Sequence, residues 1–221
     1  MNLARGLERR LENLVDGATA SVFKGRMHPV VIGSKVLRQL DFLAEETPAG
    51  PQIPNDLVVS LNPLDVDPET DRAALIAELQ AVVTESAKEH GWRIVGKPSI
   101  HIKTDAQVPR GVLGCAGTVK PGPLDHWAQL IADDGSAVLD VSLNRTIIGR
   151  SLDSDIRIAN EQVSRHHALV FRVGGSVKIR DLGSSNGTAV NGASVTNAPV
   201  PLNPGDNVVL GDLSFTYRPV T

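Results

Sequence analysis

Through roughly the first hundred residues apolar positions recur mostly at intervals of three and four. Beyond residue 127 they come instead in short runs separated by turn residues. Leu3, Leu7, Leu11, Leu14 and Val15 make one stripe of a first helix, with Arg5, Glu8, Arg9, Arg10 and Glu12 mostly on its other faces and Gly17 placed to end it. Ala20–Phe23 has the length of a small strand. Pro29 suits the first turn of a second helix carrying Val36, Leu37, Leu40 and Leu43. The run Thr47-Pro48-Ala49-Gly50-Pro51, with Pro54, reads as a loop. Alternation over 56–62 predicts a strand around Leu57, Val59 and Leu61. Asp67, Pro68, Glu69 and Asp71 mark the start of a helix with Leu75, Ile76, Leu79, Val82, Val83 and Ala87 at helical spacing, and Gly91 caps it. Residues 92–104 read as a last strand or hairpin arm. Helices segregated from a few strands predict a small α+β domain over 1–104.

From 105 to 126 the periodicity dissolves. Pro109, Pro121 and Pro123 with Gly111, Gly114, Gly117 and Gly122 predict a Pro/Gly-rich linker. If flexible, it would reach roughly 25 Å. Its Thr104 and Thr118 flanks offer hydroxyls to a kinase, or are ordinary threonines.

After it, apolar segments at 127–131, 137–141, 146–148, 155–158, 168–173, 177–181, 208–210 and 214–217 alternate with turns such as Asp133-Asp134-Gly135-Ser136 and Asn203-Pro204-Gly205-Asp206. This predicts an all-β sandwich of about ten to eleven strands over 127–221. In that architecture functional groups sit on loops gathered at one end.

Composition narrows the function. Hydrophobic content of 41% is that of a globular protein, and a net charge of −3 gives no general footprint for nucleic acid. In residues 1–103, 12 basic side chains face 14 acidic ones, which opposes a phosphate-backbone surface. Cys115 is the single cysteine, so no internal disulfide and no multi-cysteine metal site is expected. His28, His90 and His101 lack paired metal spacing, and no P-loop or nucleophile elbow occurs. Nothing resembles a signal peptide, and no apolar run has membrane-spanning length. The expectation is a cytoplasmic protein with no cofactor, no metal and no membrane insertion.

Three clusters fall where strand patterns break: Gly149-Arg150, Ser164-Arg165-His166-His167, and Gly183-Ser184-Ser185-Asn186-Gly187-Thr188. Arg150 and Arg165 can fork onto phosphate oxygens, and Ser164 and Ser185 offer short hydroxyls. Asn186 can stabilise a turn or bond a peptide main chain. Taken singly, each has a plainer use. Arg150 could pair with Asp153 or Asp155, and one histidine could brace a loop. A hydrolase using His166 or His167 is the competing class, but no nucleophile, acid or metal spacing supports it. Together the groups suit holding a phosphate.

The motifs GR at 149–150, SRxH at 164–167 and LGSSNGTxVNG at 182–192 resemble those of a forkhead-associated (FHA) domain over roughly 128–219. The resemblance implies a non-catalytic module that binds phosphothreonine peptides. It implies Arg150, Ser164 and Arg165 at the phosphate, Ser185 at the phosphothreonine and Asn186 on the peptide backbone. His167, Gly149 and Gly187 would support the site, while Asn160, Glu161, Gly187, Thr188 and Ala189 would border the downstream peptide. The leading helix and small α/β unit ahead of such a domain are similar to actinobacterial FHA proteins with an uncharacterised N-terminal domain. That implies Ser/Thr-kinase signalling connected with cell-wall synthesis or division. The partner would be a phosphothreonine-containing protein, either a kinase or a kinase substrate. The alternative is a scaffold or self-associating protein acting mainly through its N-terminal domain.

Overall fold

The structure, a computed structural model, describes residues 27–66 and 71–220. The expected first helix and the Ala20–Phe23 strand lie outside these. The described residues divide into two compact units: 27–45, 52–66, 71–87 and 94–122 form one, and 46–51, 88–93 and 123–220 the other.

In the first unit, α1 (Pro29–Leu43) opens on His28, whose Nδ1 accepts from the Val30 N–H, with proline at its first position. Ile32, Val36 and Leu40 form its buried stripe. Strand β3 (Asp56–Leu61) is central and buries Leu57, Val59 and Leu61 completely on one face. It runs parallel to β4 (Ser99–Thr104) and antiparallel to β5 (Leu113–Thr118). Parallel neighbours need a long crossover, here α2 (Arg72–His90). Asp71 starts that helix by accepting from the N–H groups of Ala73 and Ala74, and Gly91 leaves it with a φ of 68°.

The linker expected over 105–126 is corrected. Leu113–Thr118 is a strand in register with β3, the Gly111 N–H donates to the buried Asp65, and the Lys120 N–H donates to Asn55. Of the glycines there, Gly117 serves close packing. A Cβ on Gly117 would lie 2.7 Å from Leu57 and 2.8 Å from Pro54. The strand expected over 92–104 is also shorter, since continuous strand covers 99–104, with Arg93 making an isolated bridge.

In the second unit, β6 (Ala128–Ala132) to β16 (Leu213–Pro219) form eleven strands in two sheets. One sheet has the order β14-β11-β10-β8-β9: β14 (Val200–Pro201), β11 (Ser176–Asp181), β10 (Ala168–Val173), β8 (Arg145–Gly149) and β9 (Ile156–Arg157). The other has the order β13-β12-β15-β16-β6-β7: β13 (Ala193–Val195), β12 (Thr188–Val190) and β15 (Asn207–Leu210), then β16, β6 and β7 (Val138–Val141). Leu130, Val141, Ile148, Val170, Ile179, Val208, Leu210, Phe215 and Tyr217 fill the space between them. Strands β12, β13 and β14, two or three residues each, have no counterpart in the expected segments.

The 1–104 boundary needs correction as well. The proline-rich loop of residues 46–51 carries a turn between β1 (Glu45–Thr47) and β2 (Gly50–Gln52) and belongs with the sandwich unit, as do residues 88–93. Ala49 packs with Ile147, Leu169 and Phe171, side chains on the face of β8 and β10 turned away from the sandwich core. Strand β10 is therefore buried on both faces.

Candidate functional site

Three loops of the sandwich carry the polar clusters: 150–155 after β8, 158–167 between β9 and β10, and 182–187 between β11 and β12. Backbone contacts bind the first two together. The Arg150 N–H donates to the Ser164 carbonyl (2.9 Å), and the Ser151 N–H donates to the Arg165 carbonyl (3.1 Å). Ser154 Oγ donates to the same Arg165 carbonyl at 2.9 Å. The loops meet this closely because residue 149 is glycine: a Cβ there would stand 2.1 Å from the Arg165 carbonyl oxygen.

His167 ties the second loop to the third. It is fully buried, its Nδ1 accepts from the Ser164 N–H (3.0 Å), and its Nε2 lies 3.0 Å from the Gly187 carbonyl. The first bond places the proton on Nε2, which then donates to Gly187. Both ring nitrogens face main-chain groups, so the ring braces the loops and has no nitrogen left for proton transfer. Gly187 has a φ of 81°, the left-handed region that favours glycine. His166 Nε2 lies 3.2 Å from Asp153 Oδ1. Hydrogen bonds from Ser151 and then His166 hold the exposed Asp153 carboxyl below its ordinary value.

Hydrogen bonds link three of the five predicted contact residues, Arg150, Ser164 and Ser185, directly to one another. Ser164 Oγ accepts from the Ser185 N–H at 2.9 Å, which leaves the Ser164 proton to donate outward. Asn186 Nδ2 donates to both the carbonyl and Oε1 of Gln162, each at 2.9 Å. Its donors are spent within the protein, and only Oδ1 remains to accept from a peptide N–H. Arg150 and Arg165 are exposed. The acids that could have neutralised Arg150 are engaged elsewhere: Asp153 faces His166, and Asp155 holds Arg93 in a two-pronged pair. The residues placed near the downstream peptide divide: Thr188 is buried, whereas Glu161 is exposed.

Sequence reasoning missed Asp181, which organises the third loop. Its Oδ1 accepts from the Gly183 and Ser184 N–H groups (2.8 Å each), and its Oδ2 accepts from the Ser184 and Thr188 hydroxyls (2.6 Å each). An aspartate two residues before a glycine is an Asx-turn signal and could have been read. Gln162 and Arg93 had no comparable signal.

With this geometry in place, comparison with known proteins assigns the chain. Residues 5–116, just over half of the 221, match the family "FhaA, N-terminal domain". The chain belongs to that family. Residues 146–211 match the FHA domain, which takes in every predicted contact residue. "FHA domain-containing protein FhaB" of Mycobacterium tuberculosis is 31% identical over 129 residues, 56% of this chain and 82% of that protein. "Transcriptional regulatory protein EmbR" of the same species is 42% identical over 73 residues, 33% of this chain. The match spans only 19% of EmbR's own length. A crystal structure of the FhaA FHA domain complexed with the intracellular domain of Rv3910 is 35% identical, covering 41% of this chain and 99% of that one, with a TM-score of 0.38. Strands β6, β7 and β16 lie outside the residues matched as the FHA domain but complete one of its two sheets.

Proposed function

We propose that this chain is a phosphothreonine-peptide-binding adaptor in a Ser/Thr-kinase pathway. Arg150, Ser164, Arg165, Ser185 and Asn186 make the contacts, and Gly149, His167 and Gly187 hold them in place. The observation that carries the reading is the state of Arg150. Arg150 is exposed, its two candidate acids are engaged by His166 and Arg93, and the loops that carry Ser164, Arg165 and Ser185 meet its own. A phosphate brings about −1.5 to −2 charges and three acceptor oxygens to such a place. Membership of the FhaA family supports a finer reading, a pathway acting on cell-wall synthesis or division, with the partner a phosphorylated kinase or kinase substrate.

Losing one charge-assisted contact should weaken binding roughly 10- to 150-fold. The Arg150→Ala protein should therefore retain almost nothing from a phosphothreonine peptide library that the wild type retains, at unchanged thermal stability. Equal retention by the two proteins would refute the assignment. The phosphoproteins kept by a wild-type column and lost from an Arg150→Ala column would then identify the pathway.

A further inference from the structure

One feature of the sandwich unit is not used by any contact residue. Asp155 closes the loop that begins at Arg150, and its carboxylate is fully engaged. Oδ2 accepts from the Ile147 N–H at 2.7 Å and from Arg93 Nη1 at 2.8 Å, and Oδ1 accepts from Arg93 Nη2 at 2.6 Å. The side chains of Arg93 and Asp155 are only 13% and 15% exposed. Arg93 is itself anchored, its N–H donating to the Pro51 carbonyl at 2.7 Å and its Nη1 also donating to the Arg145 carbonyl. Arg145 in turn donates to the carbonyls of Ala49 and Gly91 and lies over the Phe171 ring.

We propose that Arg93 is a positioning residue for the loop 150–155, so that phosphopeptide affinity depends on a segment far upstream of the residues matched as the FHA domain. This rests on the phosphothreonine reading above. The loop is held on two sides. Ser151 and Ser154 tie it to Arg165 on one side, and Asp155 ties its far end to β8 and to Arg93. Without Arg93, Asp155 keeps the bond from the Ile147 N–H but loses the fork that fixes the loop end, and the carboxylate left unpaired there lowers stability. The Arg150 fork then has to be ordered when the peptide binds, and that ordering costs affinity without the loss of any peptide contact.

The test uses the full chain, with phosphopeptides drawn from a degenerate phosphothreonine library and amide hydrogen exchange read at residues 150–155. Arg93→Ala should bind roughly 2- to 30-fold more weakly and exchange those amides faster. Arg93→Lys keeps a charge but not the fork, should fall between, and serves if Arg93→Ala does not fold. The double variant Arg93→Ala/Asp155→Asn removes the unpaired charge and keeps an acceptor for Ile147. It should recover thermal stability while affinity stays low. Recovery of affinity along with stability would overturn the positioning role, as would wild-type affinity and exchange in Arg93→Ala. Arg150→Ala run alongside separates the two claims. If it binds like wild type, the phosphothreonine reading falls. If it loses binding while Arg93→Ala does not, that reading stands and the role of Arg93 falls.

Discussion

Asp181 shows how one side chain sets the shape of a whole loop. Burial pushes its carboxyl up, while hydrogen bonds from the Ser184 and Thr188 hydroxyls and from the Ser184 and Gly183 N–H groups pull it down further, below the ordinary 3.8. A depressed folded value means the stabilisation is complete above the ordinary value and lost as pH falls through the lower one. Asp181→Asn keeps the size but loses the charge, and one of its two former acceptors becomes an NH2 group. It should be less stable by about 1–3 kcal/mol at neutral pH. Chemical denaturation at pH 7, 5 and 3 should show the gap to wild type holding from 7 to 5 and closing below about pH 4. A gap that stays constant to pH 3 would mean the carboxylate charge contributes nothing. At this scale the site was legible wherever residue type alone decides. Arginines and serines on broken strand patterns already marked the loops of the candidate site. The direction of the Asn186 amide was not legible, because it depends on Gln162, 24 residues away.

Elements were legible where their pattern is long. The alternation at 56–62 and the helical spacing from Leu75 to Ala87 correspond to β3 and α2. The short strands β12, β13 and β14 were not, since two or three residues carry no period. The glycine-rich stretch ending in β5 misled for a different reason. Glycine signals flexibility to a local reading, yet Gly117 is small because Leu57 and Pro54 occupy the space a side chain would need. Gly149 poses the same problem at the site. Gly149→Ala would drive a methyl into the Arg165 carbonyl and to 2.8 Å from Ser154 Oγ, both of which join the first two loops. Either the loops part or the strand end shifts, at a cost of roughly 1–3 kcal/mol. Phosphopeptide binding should fall at least as far as in Arg150→Ala, because Arg150 and Arg165 are displaced together. Titration with a phosphothreonine peptide beside a thermal melt checks this. A folded Gly149→Ala protein with undiminished affinity would show that the close approach is not needed.

The sandwich unit takes in chain from both halves of the sequence, so a cut between them does not coincide with a cut between folded units. The clue was the run Ala168-Leu169-Val170-Phe171. Alternating burial is expected when one face of a sheet meets solvent, and a continuous apolar run marks a strand covered on both faces. Here Ala168 and Val170 face the sandwich core, while Leu169 and Phe171 pack with Ile147 and Ala49. What supplies the cover could not be read locally, because it comes from about 120 residues upstream and depends on the tertiary fold. A fragment starting at Pro123 retains all eleven strands but loses Ala49 over this patch, the carbonyls of Ala49 and Gly91 that hold Arg145, and the Arg93 partner of Asp155. Breaking one mostly buried ion pair costs up to roughly 3–5 kcal/mol. Each kcal/mol moves the melting temperature of a unit this size by about 4–8 °C. The fragment should therefore melt at least about 10 °C below the corresponding transition of the whole chain and bind a hydrophobic dye at the exposed Phe171 face. Supplying Phe171→Thr in the fragment should suppress the dye binding without restoring the melting temperature. A fragment that melts with the whole chain and stays dye-free would show that residues 46–51 and 88–93 rest on the sandwich without supporting it.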